Sequence, residues 1–97
     1  MANPDFSQIF NHHEREVFAA VMASAPDYPE IAISQDLLCD VACVALNRLP
    51  PRYIRHEVDF AFYLTEKERA ANARLVDDAV QFAFEFVQAR KAMKARS

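Results

Sequence analysis

The sequence contains no glycine and no tryptophan, and only two cysteines among its 97 residues. Glycine usually makes up about 7% of a protein, so its absence excludes whole classes of site. P-loops and dinucleotide-binding turns need glycine because the backbone there must approach a phosphate closely. Tight two-residue hairpins lose their usual residue as well. Both points favour a helical chain. Two cysteines are too few for a disulfide framework. No apolar run approaches the ~20 residues that span a bilayer, and the start, "MANPDFSQ", is polar and acidic rather than signal-like. The expectation is a cytoplasmic protein without a membrane partner. Positive charge is also short, with a formal net charge of -3. That argues against general nucleic-acid binding, which works by neutralising many phosphates. A small anionic ligand at a local basic patch stays compatible with it.

What is present is a chain with 53% hydrophobic and 26% charged residues, the composition of one globular domain over residues 1–97. A chain this short buries only a modest core. So much apolar content therefore favours a partner surface, and a homodimer supplies one most simply.

Apolar spacing divides the chain into three main helices. Phe6, Phe10, His13, Val17 and Val21 recur at helical intervals, widened by Phe18 and Met22. They predict a first helix over about 5–25. Asn3-Pro4 is one start, and Asn11 with Glu14 is a second, box-like start that can break the helix near Asn11. Pro26 and Pro29 in "APDYPE" stop it. Ser34 reads as the N-cap of a second helix, "QDLLCDVACVALNRL", which ends before Pro50. Apolar groups lie almost all round it, which predicts a buried central helix. Asp40 and Asn47 then become structural polar residues on one side of it. A buried Asp40 needs a partner, and the arginines past the prolines are the candidates. Thr65 and Glu68 form a capping box that starts a long C-terminal helix over about 66–94. Two adjacent stripes mark this helix, Leu75, Ala79, Phe82, Phe86, Met93 and Val76, Val80, Phe84, Val87. So wide a face suits burial on two sides, in its own subunit and against a second one. The stretch "RYIRHEVDFAFYL" reads equally as extended chain or as a short helical turn.

Most candidate sites have a plainer structural reading. Cys39 and Cys43 stand at i and i+4 but lack further ligands nearby, so they read as small buried apolar residues rather than a metal site. His12 and His13 are adjacent and point apart on a helix, which suits packing or capping by His13 and a solvent-facing His12 better than chelation. No serine or cysteine has a base and a donor pair in a recognisable motif, and the expectation is no enzyme, no metal and no cofactor. The proline corner differs. Arg48, Arg52 and Arg55 gather within nine residues, with Tyr53 and His56 beside them. Arginine can fork onto a phosphate or a guanine edge, and an aromatic ring can stack on a base. Pro50-Pro51 stiffens the segment, so less entropy is lost on binding. The competing reading is an ion-paired structural corner, with Asp36, Asp40 or acids of the last helix as partners.

The run "DVACVALNRLPPRY", residues 40–53, resembles the signature of the late competence development ComFB family, approximately D-[VI]-x-x-x-A-L-N-x-L-P-P-x-Y. Asn11, Glu14 and Val17 are similar to its N-x-x-E-x-x-V element, so the resemblance covers about residues 9–56. "HEVDFAFYLTEKER" looks like the form with a longer C-terminal helix. The resemblance implies a small, all-α, homodimeric, non-catalytic regulatory protein. Some relatives bind zinc through cysteines placed just before the residue corresponding to Asp40. Here Ser34 and Leu37 stand near those places, so zinc is not expected. Other relatives are similar to receptors for cyclic di-GMP, whose phosphates and guanines match the chemistry of the corner. Asn47, Leu49, Pro50, Pro51 and Tyr53 carry over from the motif, whereas Arg48 and Arg52 hold variable positions. The expected ligand-binding set is Arg48, Arg52, Tyr53, Arg55 and His56, with an unknown partner protein. A ligand-free dimeric interaction module is the alternative.

Overall fold

In a computed structural model, residues 4–56, 58 and 64–96 are described. Their elements follow in the order β1 (Phe10–Asn11), α1 (His13–Ser24), α2 (Pro29–Ala32), α3 (Gln35–Arg48), β2 (Tyr53–Ile54) and α4 (Glu66–Arg96). The chain is mostly helical, and the caps explain where its helices begin. The Ser34 side chain accepts from the Leu37 amide at the start of α3. Thr65 and Glu68 close the expected reciprocal box: Glu68 N–H donates to Thr65 Oγ1 at 3.1 Å, and Thr65 N–H to Glu68 Oε2 at 3.4 Å. Leu49 turns extended ahead of Pro50 and ends α3.

The N-terminal stretch departs from the single helix expected over 5–25. Phe6–Gln8 forms one 3-10 turn, and Phe10–Asn11 is a strand. Asn11 does act at the break, but through a short Asx turn, its Oδ1 accepting from the His13 amide at 3.0 Å. β1 pairs antiparallel with β2, Phe10 opposite Ile54 and Asn11 opposite Tyr53. The mostly helical fold is as expected, with the addition of a small two-stranded ribbon, which binds the N-terminal arm to the segment after the prolines. Residues 57 and 59–63 of the uncertain stretch lie outside those described.

The core forms where α1, α3 and α4 meet. Val17 and Val21 of α1, Val41 and Ala45 of α3, and Val76, Val80, Ala83, Phe84 and Val87 of α4 are all buried. Tyr28, in the turn before α2, stacks on Phe84 with ring centres 4.4 Å apart. Only one of the two stripes on α4 is fully used. Val76, Val80, Phe84 and Val87 are buried, whereas Leu75, Phe82, Phe86 and Met93 remain exposed. The molecule is thin, 53 × 41 × 20 Å, with a radius of gyration of 15.9 Å. About 12.5 Å is expected for a compact chain of this length.

α3 is central in its packing, since it touches both α1 and α4, but it is not buried all round. Its outer side stays open. Asp40, Asn47, Cys39 and Cys43 are all exposed, which corrects the expected burial of Asp40 and of both thiols. The physical reason is supply. Among the described residues no further helix packs over that side, and Asp36, Asp40 and Asn47 make it wettable. Asn47 bonds locally instead, its Nδ2 donating to the Cys43 carbonyl at 3.0 Å.

Candidate functional site

The corner after α3 is held from both directions. Leu49 is buried and anchors its entry. Past Pro50-Pro51, the ribbon fixes Tyr53 and Ile54 against the N-terminal arm, and the His12 amide donates to the Arg52 carbonyl at 2.7 Å. With proline restricting φ on one side and ladder bonds on the other, the backbone of residues 50–54 has little freedom left.

The side chains then divide. Ile54 is half-buried, while Tyr53 next to it turns outward and is 68% exposed. That follows from the two-residue period of a strand. Arg52, Arg55 and His56 are exposed along the same short segment. Arg48 is placed apart from them in its contacts. From the last turn of α3 its guanidinium carbon lies 3.7 Å from the centre of the Phe82 ring on α4. The sequence had offered Asp36 and Asp40 as partners for these arginines. Both acids are exposed, and the contact seen for Arg48 is with an aromatic face instead.

Beneath the corner lies His13, the one buried polar side chain among the described residues, 2% exposed. Burial lowers its pKa from the usual 6.5, with His12 acting in the same direction; Glu16 opposes, Arg52 lowers it further, and a hydrogen bond to Pro50 raises it. Proline has no N–H, so the Pro50 carbonyl accepts from the imidazole. Nδ1 is buried without a partner among the described residues, which leaves Nε2 as the donor. His12, expected to face solvent, is half-buried, with Nε2 3.6 Å from Glu16 Oε1. Reading the sequence placed His13 on the packing stripe, but nothing there tied it to Pro50. Its regular spacing with Val17 and Val21 gave the burial and not the contact.

Two other surfaces bear on function. Phe18, Val21 and Met22 of α1 and Leu38, Cys39 and Ala42 of α3 line an apolar groove of about 340 Å³. It lies towards the start of α3, away from the proline corner. The exposed stripe of α4 is the second, and Phe82 and Phe86 on it stack at 6.0 Å. No group of three or more His, Cys, Asp or Glu side chains is placed to hold a metal ion among the described residues. Among them, too, no helix is long and apolar enough to cross a membrane.

Compared with known proteins, residues 10–91 match the family model described as late competence development protein ComFB. No curated protein and no solved structure matches the chain.

Proposed function

Because the chain belongs to the late competence development ComFB family, we propose that it is a non-enzymatic cytoplasmic regulatory protein that binds cyclic di-GMP at the outer face of the proline corner. The observation that carries this reading is Tyr53. Its ring is 68% exposed on a backbone pinned by prolines and by the ribbon, with Arg52 and Arg55 on either side in sequence. A fixed, open aromatic flanked by guanidinium groups suits a ligand that offers both a base face to stack and phosphates to pair. Rigidity of the backbone lowers the entropy lost on binding. Arg48, engaged with Phe82, is a support at the edge rather than a principal contact.

The working unit is a homodimer. Leu75, Phe82, Phe86 and Met93 are all exposed. With the exposed Ala89 and the buried Ala79 they follow the alternating three-and-four spacing of a helix–helix seam. Together with the 20 Å thickness of the chain, these exposed side chains favour a second copy along α4. Binding at the corner would alter the surface offered to a partner protein.

Calorimetric titration with cyclic di-GMP tests this reading, with GTP and the variants Arg52→Ala and Tyr53→Ala as controls. Selective, saturable heat that both variants lose supports it. Absence of heat from a folded dimer overturns ligand binding and leaves the second reading, a ligand-free interaction module. The contact between Arg48 and Phe82 favours that reading, since it commits one of the corner's arginines to holding helices together.

A further inference from the structure

Among the described residues one polar side chain, His13, is buried in the otherwise apolar interior, and it lies under the proposed binding corner. His13 opens α1, its amide capped by Asn11 Oδ1 and its side chain 2% exposed. Three links connect it to the corner: the imidazole bond to the Pro50 carbonyl, the proximity of Arg52, and the neighbouring His12 amide, which donates to the Arg52 carbonyl at 2.7 Å. A valine or leucine would fill the space without the cost of burying a ring nitrogen. What the histidine adds is a directed donor to the Pro50 carbonyl, just past the Leu49 C-cap of α3.

We propose that neutral His13 is the positioning residue of the corner: by donating to the Pro50 carbonyl it holds residues 50–54 in the conformation that presents Tyr53, and its protonation loosens that hold. The neutral ring has one N–H, at Nε2, and a bare lone pair at Nδ1 that can stay buried without a donor. Protonation places a second N–H and a full charge at a site with no acceptor for Nδ1 among the described residues. The charged groups acting on the ring are His12 and Glu16 from its own helix and Arg52 from the corner. Burial, the largest influence, sets the balance towards the neutral ring; His12 and Arg52 also act against the imidazolium, while Glu16 and the bond to Pro50 favour it. The corner is therefore ordered at neutral pH and loosened by acid. This inference deepens the ligand-binding reading above, but its test does not depend on any ligand.

The experiment is amide hydrogen exchange of the full-length protein between about pH 8 and pH 5, expressed as protection factors so that the intrinsic pH dependence of exchange cancels. The amides of His12 and of the β1–β2 ribbon report the clamp, and those of Val80 and Phe84 report the core. In the wild type, clamp protection is expected to fall roughly tenfold on acidification, about the effect of losing one net hydrogen bond, while core protection holds. His13→Gln retains a neutral donor near the Nε2 position and is expected to flatten the pH dependence. Every other residue is unchanged in it, so a difference between the two proteins belongs to His13. Clamp protection that is constant with pH in the wild type overturns the proposal without any variant being needed. So does a His13→Gln protein that loses protection in parallel with the wild type. Cyclic di-GMP titrated in the same pH series adds a separate arm. Failure to bind at any pH removes the ligand reading and leaves the clamp standing or falling on exchange alone.

Discussion

The Arg48 guanidinium lies 3.7 Å from the centre of the Phe82 ring, so the last turn of α3 is tied to the middle of α4 by a cation on an aromatic face. Both side chains are exposed. A contact of this kind contributes about 0.5–1 kcal/mol at an exposed site. Arg48→Ala is expected to lower unfolding stability by that amount, and Phe82→Leu by a similar share. In a double-mutant cycle on urea midpoints the two losses should be less than additive. Full additivity would show that the contact contributes nothing. Ligand affinity, if the corner binds cyclic di-GMP, should change far less in Arg48→Ala than in Arg52→Ala.

Core packing gives the largest expected loss. Phe84 is fully buried, and Tyr28 stacks on it at 4.4 Å. Replacing Phe84 with alanine removes a ring from the junction of α1, α3 and α4 and leaves Tyr28 without its platform. Phenylalanine-to-alanine changes in cores cost about 3–5 kcal/mol, a large part of the stability of a small domain. Phe84→Ala should therefore be unfolded or close to it by circular dichroism at 37 °C. Phe86→Ala, one turn-face away and 47% exposed, should leave the fold intact.

That same exposure makes Phe86 the sharpest probe of self-association. Phe86→Glu places a charge in the middle of the exposed stripe of α4 without touching the buried one. Light scattering coupled to gel filtration should show the wild type as a dimer and the variant as a folded monomer. Met22→Glu, in the apolar groove between α1 and α3, should leave the dimer unchanged. If Met22→Glu dissociates it and Phe86→Glu does not, the second copy lies on that groove instead of along α4.

How far these features follow from the sequence depends on the range of the interaction. Ser34, Thr65 and Glu68 were readable as caps because a capping bond spans three residues and needs no other element. Val76, Val80, Phe84 and Val87 were readable as a core stripe because their spacing is set by one helix. The errors arise where distant segments compete. Phe6 and Phe10 share the spacing of Val17 and Val21, yet pairing with Tyr53-Ile54 draws Phe10 into a strand. Asp40, Cys39 and Cys43 sit on a helix that is apolar nearly all round, but among the described residues nothing packs over that side. At the corner, the exposed Tyr53 and the neighbouring arginines were named from composition. The contact of Arg48 with Phe82 and that of His13 with Pro50 join residues over thirty positions apart, and no local pattern encodes them.

The lowered pKa of His13 also makes global stability depend on pH, with a sign that can be worked out. Above about 6.5, the value in the unfolded chain, the ring is neutral in both states and its contribution is complete. Between 6.5 and the lower folded value, the unfolded chain takes up a proton that the folded chain excludes. Stability must then fall as pH falls through 6.5, and the loss levels off once the folded state is protonated too. The urea midpoint is expected to drop between about pH 7.5 and pH 5.5, a window above the carboxylate range near 4, so acid groups contribute little to it. In His13→Gln this part of the drop should be missing. A wild-type midpoint that is flat across the window would mean that the imidazole accepts its proton where it lies, and that burial of the ring beside Pro50 does not penalise the charge.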